Sequence, residues 1–124
     1  MKYVFLAIAV IGLIFADSSV IAKTPKSATQ TITGTLADKM CAKRLKSDAT
    51  KLASHTKMCM TEEMCATSGY GVVSNGTFYK FDKKGDQLAA DFLKTSSKDN
   101  DIQVEVVGTV SGETMKVTSL KAKS

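Results

Sequence analysis

Three Met-Cys dipeptides, Met40-Cys41, Met58-Cys59 and Met64-Cys65, fall within one stretch, and the only histidine, His55, lies between the first and the second. All three cysteines, the sole imidazole and four of the six methionines (Met40, Met58, Met60, Met64) therefore sit between positions 40 and 65. Thiolate, imidazole and thioether are the donors that soft and borderline metal ions prefer. His55 and Cys59 are four positions apart, so on a helix they share a face and can chelate one ion. If the stretch folds back on itself, Cys41 and Cys65 complete a Cys3His set that is closed and structural for zinc. Met58, Met60 or Met64 as auxiliary donors would favour copper as Cu(I). The intervals of thirteen, three and five intervening residues lack the paired Cys-x-x-Cys knuckles of common zinc sites.

The same residues support two other chemistries. Two of the cysteines can form a disulfide, which stabilises a small exported domain by about 2–4 kcal/mol. In that case no metal is needed, and His55 and the methionines are core packing and gap-fillers. A Cys-His nucleophilic pair, with Asp38 as the orienting acid, is the third arrangement, but no known catalytic signature surrounds these residues. There is no Cys-x-x-Cys, and Ser68-Gly69-Tyr70-Gly71 lacks the lysine and spacing of a phosphate-binding loop. The chain reads as a binding module and not as an enzyme, its partner a metal ion, another small ligand or a protein.

The elements that must position these donors follow from composition and period. Lys2 and the apolar run Tyr3 to Phe15, followed by Val20-Ile21-Ala22, predict a signal peptide over residues 1–22. The mature chain is then about 100 residues, one small domain exported to a periplasmic or extracellular space, with no membrane span after processing. Residues 23–28 read as a flexible leader holding the only proline, and residues 29–124 as a single domain. In an oxidising compartment an odd number of cysteines implies a leftover thiol, a shared metal site or a bond between chains.

Thr29 to Leu36 is β-branched and predicts a strand, with Gly34 at a bulge or bend. Residues 38–68 change character: rich in Ala, Lys, Met and Leu and free of glycine and proline until Gly69, they predict a helical insert. Ser47 or Asp48 is placed to cap one helix, carrying Leu52, His55 and Cys59 on one face. Thr61 is placed to cap a second, with Glu62 and Glu63 in its first turn. Beyond Gly69 the period becomes two, and Asn75-Gly76 between Tyr70–Ser74 and Thr77–Asp82 predicts a type I′ hairpin, the better account of a tripeptide that is formally a glycosylation sequon. A helix capped by Asp86 and carrying Leu88, Phe92 and Leu93 comes next. Alternating Ile102, Val104 and Val106 then lead through Ser111-Gly112 to a last strand near Thr114 to Leu120.

The predicted fold is therefore mainly β with an α insert: a five-stranded OB-like barrel, a Cys-bearing helical insertion between strands 1 and 2, and a helix between strands 3 and 4. Nucleic acid is disfavoured as a partner, because one aromatic with one lysine, Phe78 with Lys80, is a thin stacking platform and Tyr79 and Phe81 face the core. The net charge of +5 is carried by residues 39–57, where six basic side chains meet one acid, Asp48. Such a stretch can attract anions, lower thiol pKa values or serve as a solvated helical face.

Several segments together, Gly34-Thr-Leu-Ala-Asp38-Lys-Met-Cys41, then His55, Cys59 and Cys65, Ser68-Gly-Tyr-Gly-Val-Val and Val104-Glu-Val-Val-Gly108-Thr-Val, resemble a group of small exported bacterial OB-like proteins of unknown function. Their common pattern is Asp-x-x-Cys…His-x-x-x-Cys…Cys, and the resemblance spans roughly residues 32–120. It implies an OB-like barrel in which Asp38, Cys41, His55, Cys59 and Cys65 form one unit, with Asp38 behind the ligands. It implies no particular activity.

Overall fold

The computed structural model describes residues 28–124; the signal peptide expected over residues 1–22, and all but the last residue of the leader, lie outside the described residues. Five strands and five helices follow one another as β1 (Thr29–Asp38), α1 (Lys39–Leu45), α2 (Ala49–Ala53), α3 (Lys57–Thr61), α4 (Glu63–Ser68), β2 (Tyr70–Ser74), β3 (Thr77–Phe81), α5 (Lys83–Thr95), β4 (Gln103–Ser111) and β5 (Thr114–Ala122). The strands close into a ring in the order β1-β2-β3-β5-β4. All neighbours are antiparallel except β3 and β5, which meet in parallel through Lys80–Thr114 and Phe81–Met115 alone. The insert between β1 and β2 and the helix between β3 and β4 lie where the sequence predicts them. No helix among the described residues is long and apolar enough to cross a membrane.

Alternation in β4 and β5 sends Val104, Val106, Met115 and Val117 into the ring, where they meet Ile32, Leu36, Val72 and Phe81. A second, smaller core lies outside the ring, where Ala37 and Val73 pack against Ala42 and Leu52 of the insert, with Leu45 and Phe78 alongside. This explains the burial of β1, which is mostly exposed in its first half and buried from Thr35 to Asp38. Leu36 faces the ring interior while Ala37 faces the insert.

Gly34 sits where β1 exchanges partners. Thr29–Thr35 pair with β4 and Thr35–Asp38 with β2, with no register shift at the glycine. A β-carbon there would collide with the carbonyl of Val73. The residue is thus a crossing point and not a bulge. Gly34→Ala is expected to cost about 1–3 kcal/mol, by overpacking against backbone that cannot yield. Chemical denaturation checks this. The Asn75-Gly76 turn has both φ values positive, 50° and 78°, as a type I′ hairpin requires.

Three local expectations are corrected. The helix predicted to carry Leu52, His55 and Cys59 is broken in two: α2 ends at Ala53 and α3 starts only at Lys57. Side chains cause the break, since Ser54 Oγ donates to the carbonyl of Lys51 at 2.9 Å and Thr56 Oγ1 accepts from the Cys59 amide at 3.2 Å. Thr61 does not cap a helix but closes α3, its hydroxyl donating to the carbonyls of Lys57 and Met58. Helix α5 is capped by Asp82, not Asp86: Asp82 Oδ1 accepts from the Gly85 amide at 3.0 Å and from Val117 at 3.1 Å. Gly85 permits this because a β-carbon there would meet Phe81 and Val117. Asp86 instead holds the Tyr70 amide at 2.8 Å and the Lys80 ammonium at 3.2 Å.

Candidate functional site

Asp38 ends β1 and is wholly buried, which demands a partner for each carboxylate oxygen. Oδ2 accepts the backbone N–H of Cys41 at 2.9 Å, which makes Asp38 the N-cap of α1. Oδ1 lies 2.7 Å from Nε2 of buried His55, so with the carboxylate ionised Nε2 carries the proton and donates. Burial pushes the Asp38 carboxyl up, but the bonds from His55 and Cys41 outweigh it and hold the group below its ordinary value of 3.8.

Against this carboxylate stand two sulfurs. Cys41 is half-buried in the first turn of α1 and Cys65 is buried in α4. One carboxylate oxygen of Asp38 and the two Sγ atoms lie within 4.8 Å of one another, the only such group found among the described residues. Several contacts hold α4 in place. Ser68 Oγ donates to the Cys65 carbonyl at 2.6 Å and accepts from the Met40 amide at 3.2 Å, while the Lys39 amide donates to Gly69 at 2.8 Å. Tyr70, opposite Asp38 in the β1–β2 register, donates its hydroxyl to the Met60 carbonyl at 3.0 Å. Burial, with the nearby Asp38 and Asp86 charges, pushes the Tyr70 phenol up, so it stays a donor.

Of the residues singled out from the sequence, the structure brings Cys41, Cys65 and His55 around Asp38. It places Cys59 on the exposed surface, and Met58 and Met64 likewise, while Met60 turns into the ring core. No two cysteines lie at bonding distance. No protein-family model, curated protein or solved structure matches this chain. Arg44, which sequence reasoning counted only as charge, donates to Cys41 Sγ at 4.0 Å, and its i+3 spacing from Cys41 on a helix is the signal that finds it. Tyr70 was readable only as a strand residue, although a buried tyrosine hydroxyl needs a partner.

The group offers two sulfurs and one carboxylate oxygen, donors that could hold a soft or borderline cation. Burial and then the Asp38 charge push the Cys41 thiol up, and the same causes take Cys65 to about 11. Without a cation both sulfurs are protonated at neutral pH and are poor nucleophiles. His55 meets Asp38 through Nε2, and the side-chain hydrogen bond to Cys41 Sγ comes from Arg44 and not from His55.

Proposed function

We propose that this chain is an exported, OB-like binding module that holds a zinc or copper ion between Cys41, Cys65 and Asp38. The observation that carries the reading is the convergence of two sulfurs and one carboxylate oxygen within 4.8 Å at the base of the insert. Two thiolates suit either ion, and a third oxygen ligand leans toward zinc with a fourth position open. Each Asp38 oxygen already takes one hydrogen bond and still has a lone pair for a metal. His55 then acts as the group that orients a ligating carboxylate, and Asp38 as the ligand, the reverse of the roles their types suggest. The strand order, with a helix between β3 and β4, supports the OB-like assignment, and the Asp-x-x-Cys…His-x-x-x-Cys…Cys pattern belongs to the same reading.

A second reading has the same observation in its favour: Cys41 and Cys65, neighbours across the insert, join as a disulfide. That bond would close most of the insert and stabilise the fold by about 3 kcal/mol. Intact mass and thiol titration of protein taken natively from the exporting compartment separate the two. The metal reading expects three titratable thiols after chelation and one bound ion, lost in Cys41→Ser and in Cys65→Ser but kept in Cys59→Ser. Retention of the ion in both of the first two variants overturns it. A chain two hydrogens lighter, with Cys59 as its single titratable thiol, establishes the staple instead.

A further inference from the structure

The basic stretch of the sequence has a place that the metal reading does not use. Lys39, Lys43 and Lys46 are spaced i, i+4 and i+7 along α1 and its C-cap, so they project from one face, whereas Ala42 is buried against the sheet. All three are exposed, and among the described residues none is ion-paired, in contrast to Lys51, Lys57, Lys80, Lys94 and Lys121, each of which meets a carboxylate. They line one wall of a cleft of about 340 Å³, whose other walls are Phe78 and Lys80 of β3 and the turn before β5. Glu113 at that turn is the one acid in the lining, and it too is exposed and unpaired among the described residues. Lys80 is already held by Asp86 and by the Phe81 carbonyl, so it is fixed in the wall and adds little free charge.

From this geometry we infer that the cleft between α1 and the β3–β5 seam binds a small multivalent anion carrying phosphate or carboxylate groups, with Lys39, Lys43 and Lys46 as its cationic contacts. Three cations facing one concavity repel one another, and a concave wall of low dielectric concentrates their field. A multivalent anion relieves that repulsion and can bridge successive lysines. The half-buried ring of Phe78, packed on the second core, gives the cleft one apolar wall beside the lysines. The volume is that of a small-molecule site and too small for a folded partner.

Calorimetric titration tests this with two probes, inorganic pyrophosphate for phosphate chemistry and citrate for carboxylate chemistry. Binding of at least one probe is expected, weakened about tenfold or more in the triple variant Lys39→Gln, Lys43→Gln, Lys46→Gln. A second triple variant, Lys83→Gln, Lys84→Gln, Lys116→Gln, removes the same charge elsewhere and is expected to bind within about twofold of the parent. Whichever probe binds more tightly identifies the ligand chemistry. Binding of neither probe, or equal weakening in the two variants, overturns the inference. Amide shift mapping on the unmodified protein covers the case in which a variant fails to fold: shifts centred on residues 43, 78 and 114 support the cleft, and shifts spread over all basic surfaces overturn it.

Discussion

Asp38→Ala is expected to destabilise the domain by about 2–4 kcal/mol. The lost N-cap of α1 accounts for about 1 kcal/mol, and the imidazole of His55, left buried without its acceptor, for about 1–3 kcal/mol. Against the marginal stability of a small domain this is a lowering of the melting temperature by at least about 10 °C. Asp38→Asn keeps an oxygen to cap the helix and is expected to lose less. The pH dependence separates the two roles further. Because the folded carboxyl sits below its unfolded value, it binds a proton less readily when folded. Its contribution is therefore fully present above the unfolded value of 3.8 and is lost as the pH falls through the lower folded value. Urea titrations from pH 7 down to pH 2 should show this acid loss in the parent and its absence in Asp38→Asn. An unchanged acid limb in the variant would show that the Asp38–His55 pair contributes nothing.

The second large effect is expected at Met60. Met60→Ala should cost about 2–5 kcal/mol, because this side chain is 1% exposed and fills the ring core from outside the strands. Met58→Ala and Met64→Ala, at 74% and 69% exposed, should each change stability by less than about 0.5 kcal/mol. Thermal melts of the three variants make the comparison directly. The contrast also bears on the auxiliary donors expected from sequence. A methionine that anchors the insert in the core cannot be turned toward an ion without emptying that core, whereas the two exposed ones are free of such a duty. Equal losses at all three positions would mean that Met60 does not anchor the insert in the ring core.

The strands were legible because their signals are local. Asn75-Gly76 specifies its own turn, and the alternation of Val104, Val106 and their neighbours specifies which face is buried. Helix α5 was legible apart from its start, where Gly85 argues against helix on propensity but is selected by the approach of Phe81 and Val117. The insert was legible as helical composition and not as four short helices. Pieces of five to seven residues are too short to show a period, and the breaks depend on Ser54 and Thr56 bonding to nearby backbone. That is also why the shared face of His55 and Cys59 dissolved. Asp38 was legible as an acid behind the cysteines and His55, and the Asp-x-x-Cys spacing is that of its cap on α1; its direct approach to both sulfurs was not, because that comes from lying at the end of β1 where α1, α4 and the His55 turn meet.

The parallel meeting of β3 and β5 gives the ring one weak side. Elsewhere neighbouring strands share four to eight register pairs, but here the circuit is completed by two, reinforced by the Lys80 amide on the Glu113 carbonyl at 2.8 Å and the Asp82 amide on Met115 at 3.0 Å. Transient opening of the fold should begin along this line, so those two amides should exchange with solvent earlier than those buried in the β1–β4 and β4–β5 pairings. The lysine-lined cleft straddles the same line, touching β3 on one side and the start of β5 on the other. An anion seated there would work as a latch, and its occupancy would be recorded in the protection of the Lys80 and Asp82 amides.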